Sequence, residues 1–485
     1  MKQDNLPVED TETYRDSIAT VDKEGKRIWV YPKKQGGRFF NARTYVSWLL
    51  LILLFGIPFI KVNGEPLLLF NVLERKFILF GILFTPQDFH LFALAMITLV
   101  VFIVLFTVVF GRLFCGWVCP QTIFMEMVFR KIEYWIEGDA NAQRRLNAAP
   151  WTTDKVIKKT AKLILFFAIS VLVANTFLAY IIGVDEVIKI ASEPVSQHLG
   201  GFAALILFSF AFFFVFSYLR EQVCIAICPY GRLQGVLLNK DSVVIAYDYI
   251  RGEPRGKIRK NKPAQAAAAV TDAAEIIDVK PLGDCIDCKL CIQVCPTGID
   301  IRNGTQLECI NCTACIDACD EVMDKVERPR GLIRYDSHNG IKEGRRKIFT
   351  TRVIAYTAVL AVLIVLQIFL LGNRSDVETL VLRTPGMLFQ KVDENTLSNL
   401  YNYEVINKTN QPIEQVRFVL KNASGNIRLV GENIPDVKGS DLVKGAFFID
   451  MPKSELSGRK TKLIIEVYAG DKLIDKASTV FMGPG

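Results

Sequence analysis

Five stretches of this chain are apolar and long enough to cross a bilayer at about twenty residues each. They lie at 44–62, 90–110, 160–183, 201–219 and 352–372. A sixth run, LLLFNVLERKFILFGILF (67–84), carries Glu74, Arg75 and Lys76 at its centre. Three adjacent charges are costly in hydrocarbon, so it reads as an interfacial or re-entrant segment between the first two spans. The choice matters because one more span would invert everything downstream. Loop charge settles the expectation. Residues 111–159 hold Arg112, Arg130, Lys131, Arg144, Arg145, Lys155, Lys158 and Lys159, whereas 184–200 hold only Lys189. Basic loops stay inside, so five spans with an inner N-terminus are expected. Residues 1–43 are polar and lack a signal-type apolar core, in keeping with a retained inner segment.

The composition agrees: 51% hydrophobic is too apolar for one soluble domain, and 22% charged is too polar for a wholly membrane-embedded one. The net charge of +8 gathers beside the apolar runs, as on inner membrane flanks, and implies no nucleic-acid partner.

The twelve cysteines are not spread as in a disulfide scaffold but packed into short motifs, the pattern of metal ligands in a reducing compartment. Residues 285–320 read CIDCKLCIQVCPTGIDIRNGTQLECINCTACIDACD. This is C-x2-C-x2-C-x3-C-P followed by C-x2-C-x2-C-x3-C. A cubane cluster needs four converging thiolates; a tight loop supplies three and the fourth comes from the other motif. Cys285, Cys288, Cys291 and Cys319 are thus expected to hold one 4Fe–4S cluster, and Cys309, Cys312, Cys315 and Cys295 the other. Zinc modules space two C-x2-C pairs farther apart, which disfavours them. Pro296 follows the first motif; Asp320 replaces it in the second, a departure expected to alter the local turn and not ligation.

Two further steps, RLFCGWVCPQT (112–122) and REQVCIAICPYG (220–231), repeat C-x-x-x-C-P where a span ends. Proline favours the first helical position, so Cys119 and Cys228 are expected at helix N-caps, where free N–H groups favour a thiolate, with Arg112 and Arg220 pushing the same way. Segments 90–120 and 201–229 then form an internal repeat that brings Cys115, Cys119, Cys224 and Cys228 together. Such a tetrad suits Cu(I), which soft thiolates prefer, or an additional metal centre; the alternative is four small buried hydrophobes. Met125 and Met127 read chiefly as packing, with thioether ligation as the other reading. His90 and His198, 25 and 26 residues before Cys115 and Cys224, read as outer interfacial residues, with a shared metal or quinol site as the other reading. His338 has no partner pattern.

After the last span, period-2 runs at 400–409, 414–422, 445–452 and 460–470 alternate with turn clusters. About seven strands and an antiparallel β-sandwich on the outer side are expected. Residues 373–485 contain no Cys and no His, which excludes a blue-copper site there. AQAAAAV (264–270) reads as a small-residue linker.

The order of these features, with RIWVYPKKQGGRFFNART before the first span, RPRGLIRYDS after the octet and RTPGMLF in the β-region, resembles the cytochrome c oxidase accessory protein family CcoG/FixG/RdxA over nearly the whole length. The resemblance implies a multidomain membrane protein. An α-helical transmembrane bundle of about five spans would carry an inserted two-cluster ferredoxin-like α+β module and a C-terminal all-β immunoglobulin-like sandwich. The boundaries expected are 1–43, cytoplasmic segment; 44–240, membrane domain; 241–280, linker; 281–325, ferredoxin module; 326–351, connector; 352–372, last span; and 373–485, periplasmic sandwich. It implies residence in the bacterial inner membrane and reduction of Cu(II) to Cu(I) for assembly of a cbb3-type oxidase. Cys115, Cys119, Cys224 and Cys228 would be the catalytic, copper-binding thiols. Implied partners are lipid, oxidase assembly factors or a copper chaperone, and a cytoplasmic donor or quinol; a homodimer is compatible with all of these. Two rivals stand beside this reading: a quinol-oxidising conduit to a partner enzyme, and a non-redox copper-binding scaffold. The C-G-W-V-C-P step also occurs in quinol-dehydrogenase-type membrane ferredoxins.

Overall fold

The computed structural model describes residues 20–22, 24–62, 64–73, 76–80, 82–84, 88–257, 282–386, 388–409, 411–431, 436–439 and 441–484. Glu74, Arg75 and the 264–270 linker lie outside them. Five helices are long and apolar enough to span a membrane: Arg38–Phe59, Phe89–Phe110, Thr153–Ile182, Leu199–Leu219 and Thr351–Gly372. Each contains the core of an expected span. The first begins six residues earlier than the apolar run, because the Asp317 carboxylate accepts from the amides of Phe39 (3.1 Å) and Phe40 (2.8 Å) and so caps a turn that hydropathy alone does not mark.

The chain divides into two compact units. The first combines Met96–Phe177 and Lys189–Leu363 with the chain up to Phe55. Its membrane part is aromatic: Phe129 is wholly buried between Phe166, at 4.7 Å between ring centroids, and Phe216, at 4.5 Å. Its cysteine-rich part is closed by an antiparallel ribbon of Val244–Tyr247 with Ile333–Asp336, in register Val244↔Asp336 to Tyr247↔Ile333. This corrects two boundaries. Val244–Tyr247 and Tyr249–Gly252 fall in the expected linker, and Ile333–Asp336 and His338–Glu343 in the expected connector, yet Ile245, Tyr247, Leu332 and Ile333 share one core with Cys285, Cys291 and Cys315. Chain from both sides of the 281–325 segment thus supplies part of the wall around its cysteines.

The second unit comprises Gly56–Ala95, Leu178–Ile188 and Ile364–Gly485. The run at 67–84, expected to be an interfacial or re-entrant segment and not a span, forms no spanning helix but an antiparallel meander of Leu68–Asn71, Lys76–Leu79 and Ile82–Phe84. Its Phe77 and Phe92 rings stack at 5.7 Å. From Val377 onward two antiparallel sheets face each other. One orders Asn426–Leu429, Leu442–Pro452, Thr396–Asn407 and Val377–Arg383, with Gln390–Lys391 paired to the third; the other orders Val416–Leu420, Lys460–Ala469 and Lys472–Met482. Alternation decides what meets between them. Leu397, Tyr401, Tyr403, Val405, Phe447, Ile449 and Met451 point inward from the first sheet and Leu463, Ile465 and Val467 from the second. Tyr401 donates its hydroxyl to Val480 O at 3.0 Å, so the sandwich buries a polar tip without orphaning it.

Candidate metal centres

The two C-x2-C-x2-C loops share a backbone device. Asp287 and Lys289 flank Cys288 with φ of 51° and 57°; Asn311 and Thr313 flank Cys312 with φ of 54° and 66°. Left-handed residues on either side of the middle cysteine curl the chain so that three thiols face one side; Asp and Asn tolerate that conformation best. Each loop then runs into a helix. Cys291 sits on Leu290–Gln293 with Cys295 just beyond it; Cys315 and Cys319 lie four apart on Ala314–Lys325. Side chains four apart share a helix face, so each helix presents one thiol toward its own loop and one toward the other.

Two cavities result. One is lined by Cys285, Cys288, Cys291 and Cys319 with Leu290, Val322, Met323 and Leu332. The other is lined by Cys295, Cys309, Cys312 and Cys315 with Ile245, Ile299 and Ile310, and Cys291 lines both. Burial pushes the thiols of Cys291, Cys309 and Cys319 up to about 12 and that of Cys312 to about 11. Eight thiols around apolar hollows are the donor set that a pair of iron–sulfur clusters requires. Among the described residues no three His, Cys, Asp or Glu side chains group tightly enough for a single metal ion. A cubane interposes irons and sulfides between its ligands, so this openness suits it. Pro296 and Asp320 differ as expected in local turn. The first helix stops at Gln293, whereas the second continues through Asp320, whose carboxylate accepts from the Gly331 amide at 2.9 Å.

The two membrane-edge steps are superposable in their local logic. Gly111 (φ 56°) and Arg220 (φ 54°) each stand four residues before the first cysteine and break the span. Cys115 lies on the short helix Leu113–Trp117 and Cys224 on the π-helical turn Val223–Ile227. The second cysteine of each closes a wide turn, Cys119 N to Phe114 O at 2.9 Å and Cys228 N to Val223 O at 2.7 Å, and caps a helix opened by Pro120 or Pro229.

These steps lie directly on the ferredoxin module. Cys115 and Cys224 pack against the core made by Val294, Ile310, Cys312, Ala314 and Ala318, the wall of the second cavity. Gly116 allows this approach: a Cβ there would come within 2.4 Å of Asn311 O. Arg43 ties the two loops, donating from Nε to Gly116 O at 3.0 Å and from Nη1 to Cys312 O at 2.7 Å. Arg112 donates to Leu307 O and Gly231 O, joining both steps to the module. Trp117 Nε1 donates to Tyr335 Oη at 3.0 Å, and Tyr335 in turn to Asn311 O at 3.3 Å.

The expected help from both arginines needs correction in one respect. Arg220 does not face them: its guanidinium grips Glu133 at 2.5 and 2.8 Å inside a buried network with Arg130, Glu126, Glu221 and Arg27. Burial pushes Glu133 up, but Arg220 outweighs it and holds the carboxyl down at about 2. Burial likewise pushes Cys115 up to about 11, against the pull of Arg112, and Cys224 up to about 12, reinforced by Cys119 and Cys115. These two thiolates are therefore not pre-formed; a bound cation has to displace their protons. The four thiols are close enough to raise one another's proton affinity.

Met125 is packing, with Phe124, Phe129 and Phe166, and Met127 accepts a weak 3.9 Å contact from Thr44 Oγ1. His198 pairs with Glu193, while His90 lines a polar cleft in the second unit with Asp88, Arg374 and Lys408. His338 stacks on Tyr249 at 6.0 Å. Sequence reading passed over Arg43, Trp117, Gln234 and Tyr335; nothing in their spacing signals the site, since their roles depend on contacts between elements far apart in the chain.

Comparison with known proteins places this arrangement. Residues 92–138 match the profile of a 4Fe-4S binding domain, 219–338 that of a 4Fe-4S dicluster domain, and 367–484 that of the Ig-like fold at the C-terminal of FixG. The protein is a membrane iron–sulfur redox protein with an immunoglobulin-like C-terminal domain. Protein RdxB of Cereibacter sphaeroides is 30% identical over 487 residues, covering 95% of this chain and 97% of its own. Protein RdxA of the same organism is 33% identical, covering 79% and 81%, and the nitrogen fixation protein FixG of Rhizobium meliloti 34%, covering 64% and 57%. The chain belongs to the FixG/RdxA family.

Proposed function

We propose that this chain carries electrons across its ferredoxin module to the duplicated thiols at the membrane edge, and there reduces Cu(II) to Cu(I) for assembly of a cbb3-type oxidase. The observation that carries this is the packing of Cys115 and Cys224 on the wall of the cavity lined by Cys295, Cys309, Cys312 and Cys315. Cys285, Cys288, Cys291 and Cys319 would hold one 4Fe–4S cluster and Cys295, Cys309, Cys312 and Cys315 the other. When bound, the two clusters supply storage for one electron each.

The direction of flow follows from exposure. Cys288 is exposed, whereas Cys312 and Cys315 are buried and Cys312 belongs to the core on which Cys115 and Cys224 pack, so an external donor would meet the Cys288 side first. The donor, a cytoplasmic redox protein or a membrane quinol, gives one electron per copper, and Cu(II) accepts it to become Cu(I). Cys115, Cys119, Cys224 and Cys228 lose protons as they bind the ion, and their softness favours the reduced product over the reactant. Loop charge supports an inner N-terminus, an inner ferredoxin module and an outer β-domain in a bacterial inner membrane.

The test is cupric reductase activity of anaerobically purified protein. Serine at all four tetrad positions should abolish copper reduction while cluster absorbance persists; unchanged turnover removes the proposal. A quinol conduit would instead show quinol-dependent cluster reduction with no need for copper, and a non-redox scaffold would bind copper without turning it over.

A further inference from the structure

Two buried polar side chains in the tetrad are left over by this account. Gln234, on Pro229–Leu237, is 0% exposed; its Oε1 accepts from the Cys115 thiol at 3.5 Å, and its Nε2 has no partner among the described residues. Thr122, three residues after Cys119, is 2% exposed; its hydroxyl is within hydrogen-bonding reach of the Cys224 thiol and has no other partner among the described residues. The relation is reciprocal across the repeat. The first cysteine of each step is attended by a polar side chain from the helix that follows the other step. Leaving a buried amide N–H unpaired costs about 1–3 kcal/mol, and the Cys115 sulfur is an acceptor within reach of the Gln234 amide once that amide turns.

A thiol and a thiolate make opposite demands. The protonated Cys115 donates, and the Gln234 carbonyl takes that proton's bond. Once a cation has displaced the proton, the sulfur can only accept. The Gln234 amide, turned about its terminal bond, then presents Nε2–H, and the Thr122 hydroxyl turns its O–H to Cys224. Two thiolates around Cu(I) leave a complex of net charge −1, and four leave −3, and the guanidinium of Arg112 is tied to Leu307 O and Gly231 O. Such a complex needs donors aimed at its sulfurs.

We infer that Gln234 and Thr122 are positioning residues that each donate a hydrogen bond to the first thiolate of the opposite step and thereby stabilise Cu(I) held in the tetrad. This rests on the reading of the tetrad as the copper-handling site. The experiment is Cu(I) titration of the full-length protein, clusters intact, in competition with a chromogenic Cu(I) chelator. Gln234→Met keeps side-chain length and removes both polar groups. Gln234→Glu keeps the acceptor for the resting thiol and removes the donor. Thr122→Val removes the hydroxyl at constant shape, and Thr122→Ser returns it. The first three should weaken Cu(I) binding by about 10–100-fold, the usual effect of removing an outer partner of a metal ligand, with Thr122→Ser near wild type and cluster absorbance unchanged in all. An unchanged unfolding midpoint in Gln234→Met and Thr122→Val, with Cu(I) binding weakened, separates donation from packing. Wild-type affinity in Gln234→Glu and Thr122→Val, with binding lost in Cys115→Ser and Cys224→Ser, overturns this inference alone. A wild-type protein that binds no Cu(I) overturns it together with the functional reading.

Discussion

Position-specific backbone choices build the site. The left-handed pair around each middle cysteine falls on Asp287 and Lys289 in one loop and on Asn311 and Thr313 in the other, at the same offsets. Spacing made the loops legible; their hand was hidden, because neither Lys nor Thr advertises positive φ. Gly116 tells the same story at closer range. A Gly116→Ala methyl would have to push Asn311 O away from 2.4 Å, so cysteine loop and module should separate. Copper reduction in that variant should fall by about tenfold or more, as when reacting groups are displaced by an ångström, while iron content stays whole. Glu133 allows a second prediction. Glu133→Gln leaves Arg220 buried with weakened pairing and should cost about 3–5 kcal/mol, read as a lowered midpoint of thermal unfolding. The carboxyl is held below its ordinary 4.5, so its contribution is complete above that pH and is lost as pH falls toward 2; the gap between wild type and variant should close over that window.

At the scale of elements, the crossing of ligands is a property of two short helices. Cys291 and Cys295, and Cys315 and Cys319, are each separated by four residues, so one turn hands the second thiol of each pair to the neighbouring loop. A double variant tests this where single ones do not. If Cys285 and Cys319 serve one cluster, Cys285→Ser with Cys319→Ser should leave about four irons per chain in a single intact cluster; uncrossed ligation would strip both. Iron analysis with EPR on the reduced protein reads the outcome. The 67–84 run shows where element type escaped the sequence. Its apolar residues fit a buried helix and a set of short strands equally, and the choice fell to antiparallel pairing of Leu68–Asn71 with Lys76–Leu79.

For the whole molecule, two kinds of core have to coexist: a membrane bundle rich in phenylalanine and an aqueous β-sandwich. Phe447, wholly buried between the sheets, belongs to the second alone. Phe447→Ala should destabilise the sandwich by about 3–5 kcal/mol and lower its unfolding midpoint, with the iron–sulfur spectrum unaltered. Sidedness can be checked on intact cells and inverted vesicles with a membrane-impermeant maleimide. Asp471→Cys, on an exposed turn of the sandwich, should label from the outside, and Glu321→Cys, on the exposed face of Ala314–Lys325, from the inside. Labelling of both from one side overturns the five-span topology.

Hydropathy and cysteine spacing by themselves determined that this chain carries five helices long and apolar enough to span a membrane, presents ferredoxin-type loops and ends in a β-sandwich, because each of these is written in residues close together in sequence. Three things were left to the tertiary structure: the closing of the module by Val244–Tyr247 and Ile333–Asp336, the turning of Arg220 away from the thiols, and the seating of Cys115 and Cys224 on the second cavity through Arg43, Gly116 and Tyr335. These depend on contacts across tens to hundreds of residues, where packing and the pairing of buried charge, and not local preference, choose the partner.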